Sequence, residues 1–463
     1  MLAEHRAVGA IAVVLMCLVW AGRADAAWHE VRIAPEGHLI EGYTSEVSVR
    51  PGQRVHFHIW TKPPRRYRLQ IYRLGPWKGR APKRLACVPS CRRSRAAKAW
   101  RTPKPDRTTG ELDAGWPVTS SLRVPRGWRS GYYVAKAILT TGPRRGLGRL
   151  IPFIVRERTG DRSAILVEAA VSTWQAYNSW GGKSLYPGGS THHVAANHVS
   201  FNRPYTGYGQ SPFLWEIQLA RFLERQHVDV SYTTDVDVHR DPSELLRHRL
   251  VITAGHDEYW SHEQFDGFEA ARQAGVNLAF LGGNTAVWQV RYEDHERTLV
   301  AYREADTSPD PALRTVKFRD LTPPRPECRL LGVMSPTGAL VSGPGLDLTI
   351  NAAALKHPWF AGTGFRAGSV VHRIVGYEWD RFQTWCLPPG TLTVLFHREG
   401  TGTPYPSADM VTYTAPSGAV VFSAGSVQFS WALDGYGPAR GHVDPRMQRF
   451  VRNVLRSLVG GVG

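Results

Sequence analysis

The segment of residues 250–291 constrains the fold more than any other, because it predicts a strand–helix–strand unit. Residues 250–254 form a short apolar run rich in β-branched side chains, as expected of a buried strand. Ser261, with Gln264 three positions later, forms a capping box at which a helix begins. A second apolar run covers residues 277–281. Strands joined by such a helix are normally parallel with a right-handed crossover, so this segment predicts a parallel sheet.

Polar side chains follow both strands of this unit. His256 and Glu258 come after the first apolar run, and Asn284 comes after the second. These residues could simply cap the helix and satisfy loop backbone groups. Ligands of open α/β sheets, however, bind beyond the carboxyl ends of the strands, and the polar residues coincide on two such ends. The pattern therefore favours a functional site.

The hydrophobic patterns predict two domains. Residues 164–291 alternate between strand and helix patterns, which indicates a doubly wound, mostly parallel α/β sheet within a domain of residues 158–463. Residues 27–157 show short strands separated by turns, which indicates an immunoglobulin-like β-sandwich. Candidate strands of the first domain are residues 46–49, 54–60, 67–72, 120–124 and 132–140. Further strands are predicted at 330–341, 346–351, 370–378, 392–397, 410–414 and 419–423, with a closing helix at 445–458.

The first 26 residues have the pattern of a cleavable export signal. Arg6 supplies positive charge, residues 8–21 form an apolar stretch too short to span a bilayer, and Ala24-Asp25-Ala26 is a small-residue cleavage site. No later stretch of the sequence is apolar enough to cross a membrane. The sequence therefore predicts a secreted, periplasmic or cell-envelope protein.

Four of the five cysteines lie outside this signal, at positions 87, 91, 328 and 386. An even number of cysteines in an exported protein indicates disulfides. The sequence favours a Cys87–Cys91 bond within a long loop at residues 78–107, and a longer connection between Cys328 and Cys386. A zinc site built on the CxxxC pattern alone is the weaker alternative, since no second cysteine pair lies close by.

The net charge of +18 is concentrated in the first third of the chain. Residues 28–157 contain 27 Lys and Arg against 8 Asp and Glu, whereas residues 158–463 contain 28 against 29. The basic residues are densest in residues 62–107. This segment is either a solvated face or a site of attraction for an anionic polymer, an envelope surface or an acidic partner. Nucleic acid is not expected as a partner, because the chain is predicted to be exported and no recognition motif accompanies the charge.

Several longer motifs resemble one known family. The second domain contains TWQAYNSWGG, GHDEYW, LGGNTAVWQVR, VGYEWD and FSAGSVQFSWALDG, and the first contains IEGYTSEVSVRPGQ, YRLGPWKG and SGYY. Together they resemble the large (beta) subunit of N,N-dimethylformamidase over nearly the whole chain after the signal. The resemblance implies a β-sandwich followed by a glutamine-amidotransferase-like α/β domain. It also implies a mononuclear Fe³⁺, held by two tyrosines and one glutamate and used to hydrolyse an amide.

The resemblance also assigns roles to particular residues. It implies iron ligands at Tyr177, Glu258 and Tyr133, with Tyr132 as a competitor for the second tyrosine, and catalytic groups at His256, Asn284 and Glu378. Phenolates and carboxylates are hard anionic donors, which suit Fe³⁺. Such an iron could polarise a carbonyl and activate water. His256 or Glu378 would then move protons, and Asn284 would donate a hydrogen bond to the oxyanion.

Together with the export signal, the resemblance implies a secreted iron-dependent hydrolase of an amide or related C–N bond in a small-molecule or polymer substrate. The export signal, the basic first domain and the disulfides favour an envelope or extracellular substrate over dimethylformamide itself. The alternative is a non-catalytic exported protein that binds an anionic envelope polymer or an acidic partner through its basic domain. Whether the two tyrosines and the glutamate converge on one point distinguishes these hypotheses.

Overall fold

The structure, a computed structural model, describes residues 32–33, 39–75, 84–206, 212–303, 306–336, 341–402 and 405–460. The predicted export signal at residues 1–26 lies outside the described residues, as does part of the predicted loop at residues 78–107. All statements below concern the described part of the chain.

The N-terminal part of the chain forms two facing β-sheets. In chain order its strands are β1 (Arg32–Ile33), β2 (Ile40–Thr44), β3 (Ser48–Val49), β4 (Arg54–Thr61), β5 (Arg66–Arg73), β6 (Arg84–Val88), β7 (Arg95–Ala96), β8 (Ser120–Arg123), β9 (Gly131–Leu139) and β10 (Leu147–Val155). One sheet has the order β1-β10-β9-β5-β6, with β3 beside β10 and β7 beside β5, and the other has the order β2-β4-β8. The strands predicted at 54–60, 67–72, 120–124 and 132–140 are confirmed, whereas β6 and β7 lie where the sequence predicts an irregular loop.

Alternating side chains explain why these two sheets pack together. On β5, Tyr67 and Leu69 are buried whereas Arg66 is exposed, and on β4, Phe57 and Ile59 are fully buried. Alternate residues of a strand point to opposite faces, so each sheet presents an apolar face to the other. The two faces share one core, as in the predicted sandwich.

The rest of the chain mixes strands and helices. Its strands are β11 (Ile165–Ala169), β12 (His198–Ser200), β13 (Val230–Thr234), β14 (Leu250–His256), β15 (Tyr259–Ser261), β16 (Asn277–Gly283), β17 (Trp288–Glu293), β18 (Thr298–Val300), β19 (Val341–Ile350), β20 (Val370–Tyr377), β21 (Thr391–Arg398), β22 (Ala408–Thr414) and β23 (Val420–Ser423). Its α-helices are α1 (Val171–Tyr177), α2 (Pro212–Trp215), α3 (Ile217–Arg225), α4 (Asp235–Arg240), α5 (His262–Gln273), α6 (Cys328–Leu331) and α7 (Pro445–Val459).

Most of the predicted elements of this part are present. The unit β14–α5–β16 and the closing helix α7 are confirmed. The strand predicted at 330–341 is wrong at its start: residues 330–331 belong to α6, residues 332–336 form no strand, and Gly332 follows the helix in the left-handed conformation. Glycine adopts that conformation without steric cost, and it is the usual residue after a helix.

A nine-stranded sheet lies at the centre of this part, in the order β13-β11-β14-β16-β23-β22-β21-β19-β20. The strands from β13 to β23 pair in parallel, and those from β23 to β20 pair antiparallel. The prediction of a mostly parallel sheet is therefore correct only for the half that contains β14 and β16. The other half is antiparallel because β21, β22 and β23 follow one another without crossover helices, and only parallel neighbours need such crossovers.

Helices cover both faces of the parallel half. On one face, Ile252 of β14 shares a core with Leu219 of α3 and Phe450 of α7. On the other face, Val251 shares a core with Phe268 of α5. Strands buried on both sides in this way read as continuous apolar runs, which is why the sequence signal for β14 is so clear. A separate sheet, β12-β18-β17-β15, includes the two short strands that follow β14 and β16 in the chain.

Both predicted disulfides are present, one between Cys87 and Cys91 and the other between Cys328 and Cys386. Disulfides persist in oxidising environments, so this pair indicates an oxidising, extracytoplasmic setting. None of the described helices is both long enough and apolar enough to cross a bilayer.

The mixed α/β class of the prediction is confirmed by these sheets and helices. Its finer parts stay predictions: the immunoglobulin-like and amidotransferase-like assignments, and the domain boundary at residue 157.

Candidate active site

Two neighbouring parallel strands bring the first polar groups together. His256 is the last residue of β14 and is paired in register with Gly283, the last residue of β16. Asn284 follows directly, and its Nδ2 lies 3.3 Å from Nε2 of His256. The carboxyl ends of β14 and β16 therefore carry one shared cluster, as the strand–helix–strand pattern predicts.

Close backbone packing fixes the position of Asn284. A Cβ on Gly282 would lie 2.2 Å from the carbonyl oxygen of Gly255, and a Cβ on Gly283 would lie 2.8 Å from backbone atoms of Ser426. Only glycine fits such approaches, which accounts for the Gly-Gly pair before Asn284. Asn284 itself has a φ of 53°, a left-handed conformation that its side-chain type tolerates better than most.

A buried carboxylate holds Asn284 in that conformation. The backbone N–H of Asn284 donates to Oδ1 of Asp380 at 2.9 Å, and the Asp380 residue is only 2 % exposed. Burial raises the pKa of the Asp380 carboxyl to about 7. Asp380 therefore positions Asn284 through its backbone N–H, and no described contact joins Asp380 directly to the side chains of the cluster.

The Glu258 carboxylate lies at the centre of the cluster. It accepts hydrogen bonds from Tyr177 Oη at 2.7 Å, from Tyr186 Oη at 3.1 Å to both oxygens, and from Trp288 Nε1 at 3.0 Å. Nε2 of His256 lies 3.2 Å from Oε2 of Glu258. Two phenols, an indole and an imidazole thus converge on one carboxylate, which is a dense arrangement of polar groups for a buried position.

The two phenols that contact Glu258 also contact each other. The rings of Tyr177 and Tyr186 are stacked with centroids 4.4 Å apart, and Tyr259 Oη donates to Tyr186 Oη at 2.5 Å. Burial, followed by the charge of Glu258, raises the pKa of both the Tyr177 and Tyr186 phenols well above the ordinary value. Without a nearby cation the phenols are therefore neutral, and a bound cation would reverse that preference because opposite charge favours the ionised form.

An imidazole–carboxylate pair flanks this centre. Nε2 of His256 lies 2.8 Å from Oε2 of Glu378, and Asn284 Nδ2 donates to the same oxygen at 2.8 Å. Burial alone would lower the pKa of His256, but the carboxylates of Glu378 and Glu258 outweigh it and raise that pKa to about 10. The Glu378 side chain is 21 % exposed, so this pair connects the buried cluster with solvent.

The donor atoms of this cluster are close enough to share one metal ion. Single atoms of His256, Glu258 and Glu378 all lie within 4.8 Å of one another, and the Tyr177 and Tyr186 phenols add two oxygens beside Glu258. A donor set dominated by phenol and carboxylate oxygens is hard, and it suits Fe³⁺ better than zinc, which prefers nitrogen and sulfur. The residues present therefore fit the ion that the resemblance implies.

A family-wide sequence profile described as "N,N-dimethylformamidase beta subunit-like, C-terminal" matches residues 68–444 of the chain. The chain belongs to this family. The family name points to hydrolysis of amide bonds. No curated protein matches the sequence.

Two solved structures give only weak likenesses to this member of the dimethylformamidase-like family. One is described as "mmIFT52 N-terminal domain": it has 10% identity and a TM-score of 0.27, covering 52% of this chain and 88% of that one. The other, from work on the bacterial superantigen toxic shock syndrome toxin-1, has 17% identity and a TM-score of 0.17, covering 26% of this chain and 100% of that one. Likenesses at this level carry no argument about fold or function.

The structure does not bring Tyr133, the second tyrosine implied by the resemblance to the dimethylformamidase family, to Glu258. The Tyr133 ring stacks on Trp128 in the sandwich core, and its hydroxyl donates to the carbonyl of Arg129 at 2.8 Å. Tyr132 points to the opposite side of β9, as alternate strand residues do, and it donates to Glu216 at 2.5 Å. Each phenol therefore has a partner away from the cluster.

Tyr186 occupies the place beside Tyr177 and Glu258 where a second tyrosine would be needed. The loop after α1 turns back at Gly181 and Gly182, both of which have positive φ, and the Leu185 N–H then donates to the carbonyl of Ala176 at 3.0 Å. That return brings Tyr186 against Tyr177. The signal in the sequence is the pair of glycines followed by a tyrosine within one short loop, and the resemblance does not point to it.

Proposed function

We propose that the chain is a metal-dependent hydrolase of an amide C–N bond, with a mononuclear Fe³⁺ held by Tyr177, Tyr186 and Glu258. The observation that carries the proposal is that both phenol hydroxyls donate to the same buried carboxylate, at 2.7 Å and 3.1 Å. When bound, Fe³⁺ would polarise the amide carbonyl and lower the pKa of a water.

The chain's own residues are suited to the proton movements of this reaction. Amide hydrolysis forms a C–O bond to the oxygen of water, breaks the C–N bond and moves one proton from the water to the departing nitrogen. Glu378 can receive that proton, because it is carboxylate-bearing, partly exposed and 2.8 Å from His256. His256, whose pKa the two carboxylates raise to about 10, holds a proton beside the site and keeps Glu378 in place.

Asn284 supplies a hydrogen-bond donor for the oxyanion. Its Nδ2 donates to Oε2 of Glu378 at 2.8 Å. A substrate carbonyl oxygen that takes the place of this carboxylate oxygen beside Nδ2 would accept the same hydrogen bond. Its backbone is held by Asp380, so this donor is positioned before substrate arrives. Pre-organised donors of this kind are among the largest single contributions to acyl-transfer catalysis.

Aromatic side chains form the walls around these groups. Tyr177 and Tyr377 both lie beside the His256 ring, with ring centroids 5.1 Å and 5.5 Å away. The Trp288 indole approaches from the Glu258 side. Such walls limit the water around the reacting groups and strengthen the electrostatic interactions among them. The two disulfides support an oxidising setting, and we propose that the protein acts as a secreted or cell-envelope enzyme.

Iron analysis with a visible spectrum tests the ligand set. The purified protein, reconstituted with iron, should contain near-stoichiometric metal and show a tyrosinate-to-iron absorption band. Tyr186→Phe and Glu258→Gln should lose most of both, because each removes a ligand. Tyr133→Phe is the matched control: it removes the same hydroxyl from a phenol in the sandwich core and should keep both.

Two results would overturn parts of the proposal. Loss of iron in Tyr133→Phe with retention in Tyr186→Phe would show that the ligand set is the one implied by the resemblance and not the one proposed here. Protein that takes up no iron and stays colourless would remove the metal-dependent mechanism altogether.

A further inference from the structure

We propose that an arginine face on the N-terminal sandwich binds a linear polymer that carries repeated phosphate groups. The arginine face consists of Arg66, Arg68, Arg92 and Arg93. This inference does not depend on the proposed hydrolase activity. Binding through the arginine face would attach the protein to a polyanionic layer whatever reaction the protein catalyses.

The first two arginines are presented by a rigid strand. Arg66 and Arg68 lie two positions apart on β5, on the side opposite the buried residues Tyr67 and Leu69. Side chains two residues apart on a strand share a face and are about 7 Å apart along it. The strand therefore displays guanidinium groups in a row on a surface that packing of the core keeps fixed.

The other two arginines, Arg92 and Arg93, belong to the segment of residues 91–96, which is held against this row. Arg68 Nε donates to the carbonyl of Arg93 at 3.1 Å, and Arg66 Nε donates to Ser94 Oγ at 2.9 Å. The segment then pairs with β5 as β7. The Cys87–Cys91 disulfide ties the beginning of the segment to the end of β6. Arg92 and Arg93 are both exposed. Arg95 is paired with Tyr67 and donates to the carbonyl of Thr119, so it lies on the other side of the sheet and is not part of the face.

Little acidic charge lies near this face in the sequence. Residues 62–107 contain 16 Lys and Arg and a single acidic residue, Asp106, whose carboxylate accepts hydrogen bonds from the neighbouring Thr108 and Thr109 backbone N–H groups. In the described part of the chain, none of the four arginines of the face forms a salt bridge. Their mutual repulsion is unfavourable unless a polyanion neutralises it.

Arginines elsewhere in the same domain behave differently. Arg73 and Arg156 point towards the α/β part of the chain and pair with the carboxylates of Glu224 and Asp237, and Arg50 pairs with Glu244 at 3.2 Å. The sandwich thus uses its inward arginines for internal ion pairs, whereas the arginines of the face donate only to neutral groups among the described residues and keep their charge for an external anion.

The chemistry of the face selects among anionic polymers. A guanidinium presents a planar fork of N–H groups that matches phosphate oxygens in pairs, and a row of such forks engages several phosphates of one polymer at once. Nucleic acids without sequence preference are bound through aromatic side chains on which bases stack. Among the described residues of 84–107, Trp100 is the only aromatic one, and it is half-buried. We therefore expect the face to recognise the charge of a phosphate polymer and not nucleic-acid bases.

Binding to long-chain inorganic polyphosphate tests the proposal. We compare the purified protein with Arg66→Gln/Arg92→Gln/Arg93→Gln, by anisotropy of labelled polyphosphate at several salt concentrations. The control Arg126→Gln/Arg158→Gln/Arg162→Gln removes the same net charge from exposed arginines outside the face. Thermal unfolding confirms that each variant is folded.

The face variant should bind about tenfold more weakly or worse, and its salt-dependence slope should fall by about three, since three phosphate contacts are removed. The control should stay within about twofold of the unchanged protein. Equal weakening in both variants would mean that net charge and not the face is responsible, and absence of polyphosphate binding would also refute the proposal. Tighter binding of single-stranded DNA of equal charge, lost in the face variant, would reassign the face to nucleic acid.

Discussion

Replacing Asp380 by alanine tests how the oxyanion donor is held. Asp380 accepts the backbone N–H of Asn284 at 2.9 Å, and Asn284 is 6 % exposed in a left-handed conformation. Asp380→Ala leaves this buried N–H without its acceptor, which costs about 1–3 kcal/mol. It also removes the support for a backbone conformation that costs about 1–2 kcal/mol in a residue other than glycine. The strain of that conformation is already present in the unchanged protein and is released if the backbone relaxes, so the unpaired N–H sets the loss. We expect the free energy of unfolding to fall by about 1–3 kcal/mol.

Asp380→Ala should also lower the reaction rate, because it displaces Asn284. Once its backbone relaxes, Asn284 Nδ2 no longer lies 2.8 Å from Glu378, and an oxyanion loses a pre-organised donor. We expect kcat to fall by about tenfold to a hundredfold, with KM changed by less than about threefold, because the donor acts mainly in the transition state. The assay is amine release from N,N-dimethylformamide and a panel of linear amides. Asp380→Asn keeps an acceptor oxygen and should retain most of the activity.

Asp409 provides a matched control. It is 5 % exposed and accepts the backbone N–H of Phe382 at 2.9 Å, but its side chain contacts His397 and not Asn284. Asp409→Ala should destabilise the protein to a similar extent and leave kcat unchanged. A folded Asp380→Ala protein with unchanged kcat, or an equal loss of kcat in Asp409→Ala, would refute the positioning role of Asp380.

Three further predictions concern stability. Burial raises the pKa of the Glu216 carboxyl from its usual 4.5 to about 8, so between these pH values the folded state holds a proton that the unfolded state releases, and stability should fall as pH rises. Urea unfolding at the two ends of this range should show a smaller decline in Glu216→Gln, and an identical decline would contradict this. Cys328→Ser/Cys386→Ser removes a disulfide across a sequence separation of 58 and should lower the free energy of unfolding by about 4 kcal/mol, whereas Cys87→Ser/Cys91→Ser, across a separation of 4, should lower it by about 2 kcal/mol. Equal losses in denaturant unfolding would mean that the entropy of the unfolded chain is not the cause. Gly283→Ala forces a Cβ to 2.8 Å from Ser426 and should cost about 1–3 kcal/mol, while Gly188→Ala, which meets nothing within 4 Å, should be nearly neutral in thermal unfolding.

The parts of the fold that depend on local periodicity could be predicted from the sequence. The apolar runs of β14 and β16 and the Ser261 cap of α5 are local signals, and they place His256 and Asn284 at one sheet edge. The antiparallel half of the large sheet and the short strand β15 could not be predicted, because they depend on pairing between distant segments. For example, Tyr259 of β15 pairs with Trp288 of β17.

The candidate site was only partly predictable for the same reason. Tyr177, His256, Glu258, Asn284 and Glu378 come together in the structure. Tyr133 lies instead in the sandwich core, because the alternation along β9 directs it there. Tyr186 reaches Glu258 through a loop whose path depends on two glycines with positive φ, and no periodic pattern encodes that path.

Anomalous diffraction at the iron absorption edge, from crystals of the iron-reconstituted protein, tests the central claim most directly. We predict one strong anomalous peak about 2 Å from the Tyr177 and Tyr186 phenol oxygens and from a carboxylate oxygen of Glu258, as metal–oxygen bonds require. A peak bonded to Tyr133 in place of Tyr186, or no peak at the Glu258 carboxylate, would contradict the account.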